Sequence, residues 1–412
     1  MIKYLPLWIV AFFLCLNCSS VRKNVMKDEK SSDSTHQQVM SNPEIPKVSF
    51  KQSNVPRDII LIYCSYYNNN PKNWDKEKFK YYLAYFDKKP GENISSYPQD
   101  ILFDTFLFMY YRTSRGRSVE CDPKSLPTDK QDWEECADRF FDTEFQLSAL
   151  DKASLEISDL LNINFRPKVI LTLPYPDVRQ KDFGKINENS TSLDFSKSEE
   201  MRFDAIKWYV DNTIQMWEKA KFKNLNLIGF YWFNESHINA RKQMSISEKE
   251  APHYDFELMK KTCQYIHSIK VDGKKLTLSW IPYNPYGDER IDFCKEWLNQ
   301  KEEQQIDYLM IQPNYFFPKW NKTIEDLKRT IHNAESIGAG VEIEFDDKIF
   351  TEKELPDRLI NYLNEVRNTG DYYQKTCIGY YQGVDTFYKL FSTDSTNWIY
   401  KEIYNFISDR RK

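Results

Sequence analysis

From Asp58 onward one pattern recurs along the chain. A short run of aliphatic, β-branched or aromatic residues ends in a polar or aromatic cluster, and an amphipathic helical stretch follows. Eight such runs stand out, at 58–67 (DIILIYCSYY), 101–111 (ILFDTFLFMYY), 168–177 (KVILTLPYPD), 225–235 (LNLIGFYWFNE), 275–284 (KLTLSWIPYN), 306–317 (IDYLMIQPNYFF), 338–347 (GAGVEIEFDD) and 377–383 (CIGYYQG). The spacing predicts helices over 131–161 (broken near 142), 199–221, 254–271, 289–300, 323–337, 352–369 and 397–408. In 199–221, Phe203, Ile206, Val210, Ile214 and Trp217 recur at helical spacing, and Ser198 followed by Glu199 and Glu200 marks a helix start. The stretch 78–87 reads either as a helix or as an extended segment.

Strict alternation of strand and helix gives a parallel sheet with right-handed crossovers. Eight units close a barrel, so the expected fold is α/β, a single (β/α)8 TIM-type barrel over 57–412 with several long loops. An open doubly wound sheet is the second choice, because no phosphate-binding glycine loop follows the first run.

The first residues depart from this pattern. Lys3 precedes an apolar run from Leu5 to Leu16, the length of a signal-peptide core and short for a membrane span. The run ends in Asn17-Cys18-Ser19-Ser20 and resembles a bacterial lipoprotein signal over 1–18. The resemblance implies Cys18 as the lipidated residue, with Cys15 as the fallback. Residues 19–56 are rich in Ser, Lys, Asp, Asn and Gln without apolar periodicity, which reads as a flexible tether. The expected location is therefore outside the cytoplasm, lipid-anchored to a bacterial membrane at the outer membrane or cell surface.

Charge removes other classes of function. Lys and Arg number 57 against 61 Asp and Glu, a formal charge of -4, so no nucleic-acid partner is expected. With 5 His and no Cys–His cluster, neither a metal nor a cofactor is expected, although Glu344, Asp346 and Asp347 are the acidic residues a metal would use. Cys121 and Cys136 are a conceivable disulfide that sequence alone does not decide, and Cys64, Cys263 and Cys377 read as small buried hydrophobes.

In a barrel of this kind the active groups gather at the C-terminal ends of the strands. Glu235 closes a fourth run that is otherwise apolar. In the seventh run Glu342 and Glu344 share parity, while Val341, Ile343 and Phe345 take the face that packs on helices, so both glutamates point inward, Glu342 deeper. A charge at that depth is costly without a reason. Two carboxylates across one hollow are what glycoside hydrolysis requires: one protonates the leaving oxygen and the other attacks the anomeric carbon or activates water. Around them Tyr66, Trp232, Trp280, Tyr315 and Tyr381 offer ring faces for a sugar, and Gln312, Asn314, Asn284 and Asp177 offer hydrogen bonds. Asp177 also reads as a turn residue in PYPD, His237 as a loop residue, and Trp320 as a surface position. No GxSxG elbow is present, against an esterase.

This arrangement resembles the large clan of retaining (β/α)8 glycosidases. The resemblance implies Glu235, preceded by Asn234, as acid/base, Glu344 as nucleophile, Asn234 on the sugar 2-hydroxyl and Tyr315 beside the nucleophile; Arg112 is a loose counterpart of the clan's strand-two arginine. Through 58–74, LPYPD (173–177), 221–236, QPNYFF (312–317), EIEFD (342–346) and GYYQG (379–383) the chain also resembles a bacterial family, domain of unknown function 4855. That family implies fold and export but no reaction. The expectation is a glycoside hydrolase, with Glu235 and Glu344 catalytic and a carbohydrate as substrate. The alternative is a non-catalytic glycan-binding surface lipoprotein with a barrel of enzyme ancestry. Oligomeric state is not legible.

Overall fold

A computed structural model describes residues 53, 55–67, 70–88, 97–235, 255–283 and 289–411. The proposed leader, Cys18 and nearly all of the tether, with His237 and Asn284, lie outside the described residues. Eight strands, β1 (Asp58–Tyr63), β2 (Thr105–Met109), β3 (Lys168–Leu173), β4 (Asn226–Trp232), β5 (Thr277–Trp280), β6 (Tyr308–Ile311), β7 (Gly340–Glu344) and β8 (Ile378–Tyr381), form a closed barrel in sequential order. Every pairing is parallel, and β1 closes on β8 through Asp58↔Ile378 and Ile60↔Tyr380. The expected (β/α)8 architecture is therefore the one observed.

The helices follow the periodicity. Among the described residues they are α1 (Lys76–Leu83), α2 (Lys130–Phe140), α3 (Gln146–Leu161), α4 (Glu199–Ala220), α5 (Phe256–Ser268), α6 (Glu289–Leu298), α7 (Ile324–Ile337), α8 (Leu355–Arg367), α9 (Asp371–Lys375), α10 (Thr386–Ser392) and α11 (Asn397–Asp409). The expected break near 142 separates α2 from α3, where Asp142 Oδ1 accepts from the amides of Glu144 and Phe145. Ser198 caps α4 by accepting from the Met201 amide at 3.2 Å. The ambiguous stretch 78–87 contains both readings: α1 ends at Leu83, and Ala84–Tyr85 pairs antiparallel with Asp100–Ile101. None of the helices described is long and apolar enough to cross a membrane.

Small residues let the barrel close. A Cβ on Gly340 of β7 would lie 2.0 Å from the Cys377 carbonyl oxygen, and one on Gly229 of β4 would lie 2.1 Å from that of Thr277. Beside Gly229 the β3–β4 register slips between Val169 and Ile170, a bulge that re-aims the end of β4. At the end of the barrel where the strands begin, charges are paired. Arg410, buried after α11, bonds the Asp58 carboxylate and the carbonyls of Thr376, Tyr373 and Arg57, and Lys168 meets Asp104 at 2.8 Å.

Candidate functional site at the C-terminal end of the barrel

Side chains from the upper ends of β1, β4, β6, β7 and β8 and the loops beyond them line a cavity of about 680 Å³. Glu235, Glu342 and Glu344 face it, together with Leu61, Tyr63, Gln312, Asn314 and Tyr381. The side chains of β7 alternate as expected: Val341, Ile343 and Phe345 are buried in the core while both glutamates face the cavity.

The segment after β6 joins the two outer carboxylates. Gln312 Nε2 donates to Glu235 Oε2 at 2.8 Å and to the Ile281 carbonyl at 2.9 Å. Two residues later Asn314 Nδ2 donates to Glu344 Oε1 at 2.8 Å. Each carboxylate takes one further donor, a tyrosine hydroxyl. Tyr231 donates to Glu235 Oε1 at 2.6 Å, and Tyr362, reaching in from α8, donates to Glu344 Oε2. Tyr362 is itself held by the Tyr315 amide, which donates to its oxygen at 3.0 Å. None of the Lys, Arg and His residues described pairs with Glu235, Glu342 or Glu344. Burial without a countercharge pushes Glu235 and Glu344 each up to about 7, against the downward pull of their hydrogen bonds, and the Glu235 charge adds to the rise at Glu344. Glu342 lies deeper and is 2 % exposed, with no hydrogen-bond partner among the described residues. Burial, then the neighbouring Glu344 and Glu235, raise it well above the usual glutamate range. Opposite Glu342 in the register stands Gly379, where a Cβ would lie 3.2 Å from Met310 Sδ and 3.6 Å from Glu342 Cγ.

Other expected contacts are corrected. Tyr315 does not touch Glu344. Asn314 takes a left-handed backbone (φ 57°), which turns Tyr315 away so that its hydroxyl accepts from Asn361 Nδ2 at 3.0 Å. Asp177 is buried against Arg179, whose Nε donates to both its oxygens at 3.0 Å. Tyr66 belongs to a two-residue hairpin outside the barrel, because β1 ends at Tyr63, and Arg139 lies over its ring. Trp232 packs edge-on against Tyr175 in the core. Trp280 supports the site from behind, its Nε1 donating to the Asn234 carbonyl at 3.1 Å. The Asn234 side chain is 1 % exposed and its amide finds no partner among the described residues. Arg112 bonds the Gly116 carbonyl and does not line the cavity. Trp320 does: it lies at the rim with Tyr283 and Phe317. Cys121 and Cys136 are separate buried thiols. No group of three or more His, Cys, Asp or Glu among the described residues is arranged to hold a metal ion; Asp346 caps the turn at Lys348, and Asp347 bonds Lys389 and Thr386.

Several residues of the site were not foreseen. Tyr231 carries a usable signal, lying near the end of β4 four residues before Glu235. Tyr362, in the middle of an amphipathic helix, and Glu120, in the loop after β2, carry none.

The family model described as Domain of unknown function (DUF4855) matches residues 58–408. The chain belongs to this family. No match is found among curated proteins. Similar solved structures include the xylanase 10B of Clostridium thermocellum, determined with xylohexaose, at 12 % identity and a TM-score of 0.39, covering 69 % of this chain and 55 % of that one. This chain thus spans little more than half the length of that protein. The PgaB glycoside hydrolase domain of Bordetella bronchiseptica is similar at 9 % identity and a TM-score of 0.37, covering 79 % and 94 %. The malate synthase of Haloferax volcanii is similar at 10 % identity and a TM-score of 0.36, covering 80 % and 72 %. The barrel assignment stands on the closed order of the chain's own eight strands.

Proposed function

We propose that this cavity hydrolyses a glycosidic bond with retention of configuration, Glu235 acting as acid/base and Glu344 as nucleophile. One observation carries the reading. Two carboxylates, one just beyond β4 and one on β7, share a cavity, each held by two neutral donors and by no cation among the described residues, with Gln312 and Asn314 of one short segment supplying a donor to each. Neutral donors fix the orientation of a carboxylate without quenching its chemistry, and a value near 7 lets one carboxyl hold a proton while the other is ionised.

In the first step Glu235 gives its proton to the glycosidic oxygen as Glu344 attacks the anomeric carbon. The C–O bond breaks, the alcohol leaves, and a glycosyl ester forms on Glu344. In the second step the Glu235 carboxylate takes a proton from water, the oxygen of that water attacks the same carbon, and Glu344 departs as a carboxylate. The rim rings of Tyr283, Phe317 and Trp320 are the surfaces on which sugar faces would stack.

The test is hydrolysis of a polysaccharide panel with reducing-end detection. Glu235→Gln and Glu344→Gln should each abolish turnover while thermal unfolding shows a folded domain. Turnover that survives both changes refutes the assignment, and NMR of the first anomer released decides between retention and inversion. We further propose that the chain works outside the cytoplasm, anchored by lipid on Cys18, which the Lys3–Leu16 run and the polar 19–56 segment support. Cys18→Ala should move the protein from the membrane fraction to the soluble one; an unchanged membrane fraction counts against the anchor.

A further inference from the structure

Hydrolysis uses two carboxylates, and the cavity holds more. Glu342 lies beneath Glu344, and Glu120 stands on the wall near Glu235. Neither has a cation partner among the described residues. Two lysines also line the cavity, Lys319 over the rings of Phe317 and Trp320 and Lys348 at 3.8 Å from Glu352, and neither pairs with Glu120, Glu235, Glu342 or Glu344. Glu342 is 2 % exposed and faces the cavity without a partner among the described residues. A second observation is independent of the carboxylates. Asn314 gives its Nδ2 to Glu344, but its Oδ1 is buried and receives no hydrogen bond among the described residues. The floor of the cavity thus lacks both donors and positive charge among the described residues.

We propose that the sugar bound here is cationic, a hexosamine unit with a free amine, and that Glu342 recognises its ammonium group. An ammonium carries three donors and one positive charge on a single compact centre. It can neutralise Glu342 and still donate to other acceptors of the cavity, where a neutral hydroxyl offers one donor and no charge. Glu120 is a further acid on the half-buried wall, raised by burial and by Glu235, so its charge too develops when a cation enters. The rise in the Glu342 carboxyl accords with this, because a buried acid without a cation holds its proton and ionises when a cation arrives. The proposal rests on the hydrolase reading for its substrate class, but its test is separable.

The probes are glucosamine hexamer, its fully N-acetylated counterpart and cellohexaose, with binding measured by calorimetry and cleavage by product analysis. Glucosamine hexamer should bind wild type at least about ten-fold more tightly than either neutral oligomer, and Glu342→Gln should remove most of that preference. Glu120→Gln should lower it less, which guards against a folding defect in the deeper variant. Equal binding of neutral and cationic oligomers, or an undiminished preference in Glu342→Gln, overturns the proposal. Cleavage of cellohexaose with glucosamine hexamer ignored removes the proposal and leaves the hydrolase reading. Tight, Glu342-dependent binding of glucosamine hexamer without cleavage of any oligomer removes the hydrolase reading and leaves the proposal. Binding of none of the three removes it.

Discussion

Replacing Glu344 by Gln should stabilise the protein, and the gain should grow with pH. The Glu344 carboxyl is raised from the ordinary 4.5 to about 7, chiefly by burial. A raised acid binds its proton more tightly in the folded state than in the unfolded one, so folding is favoured at low pH and the benefit disappears as pH rises through 7. Below about 4.5 both states are protonated and the side chain carries no penalty. Above 7 the folded state holds a buried charge that the unfolded chain solvates, at about 3 kcal/mol from the size of the rise. At pH 5 the same relation leaves under about 1 kcal/mol. Gln keeps an acceptor for Asn314 Nδ2, and the Tyr362 hydroxyl can turn to accept its N–H, so little of the hydrogen bonding is lost. A domain of roughly 350 residues has an unfolding entropy near 0.7 kcal/mol/K, so the gain in Tm should be about 1 °C at pH 5 and about 4 °C at pH 8.5. Differential scanning calorimetry of wild type and Glu344→Gln at the two pH values measures this directly, with no need of a substrate. An equal difference at both pH values, or a variant less stable than wild type at pH 8.5, would show that Glu344 is not an uncompensated buried acid.

Two further outcomes follow from the same contacts. Tyr362→Phe removes a charge-assisted donor from Glu344, so its proton is held more tightly and the ionised nucleophile is reached only at higher pH. The acidic limb of kcat should move up by about 1–2 pH units, with the rate recovering above the new limb, whereas an unmoved limb would place the tyrosine outside the mechanism. Arg410→Met leaves Asp58 buried and unpaired at the far end of the barrel, so it should lower stability by about 3–5 kcal/mol in urea unfolding and leave the pH dependence of any turnover unchanged; a loss under 1 kcal/mol would refute the role given to that pair.

How much of the site the sequence shows depends on the range over which each residue acts. Glu342 and Glu344 were legible because a strand has period two: once Val341, Ile343 and Phe345 are assigned to the helix-packed face, the glutamates have one place to point. Gln312 and Asn314 follow by the same parity. For Tyr315 the same alternation points the other way, and the positive φ at Asn314, a residue type that tolerates it, sends its hydroxyl to Asn361; only the clan resemblance set it beside the nucleophile. Asp177 shows a different limit: its partner Arg179 is only two residues away, yet strand periodicity does not register a pairing made in a loop. Tyr362 lies 18 residues beyond its acceptor Glu344, on another element, and only the packing of α8 against β7 brings them together. The longer helices, which depend on local spacing and caps, fall within a few residues of the ranges expected, whereas the short α9 and α10 were not foreseen and α1 overlaps the ambiguous stretch 78–87.

The two ends of the barrel treat buried charge in opposite ways, and this separates a functional reading of the glutamates from a structural one. Where the strands begin, every acid described in the interior has a cation: Asp58 has Arg410 and Asp104 has Lys168. Such pairs recover much of the desolvation they incur, and removing one partner is what destabilises. Where the strands end, Glu235, Glu342 and Glu344 are gathered without a cation among the described residues, and two of them are held by Gln312, Asn314, Tyr231 and Tyr362, donors that orient a carboxylate but leave its charge unbalanced. A fold that needed these acids for stability would have met them with arginine or lysine, as it does at the other end. Their energy is recovered only when something enters the cavity that takes up a proton, a developing positive charge or an ammonium group, and a glycosidic bond passing through an oxocarbenium-like state supplies the first two.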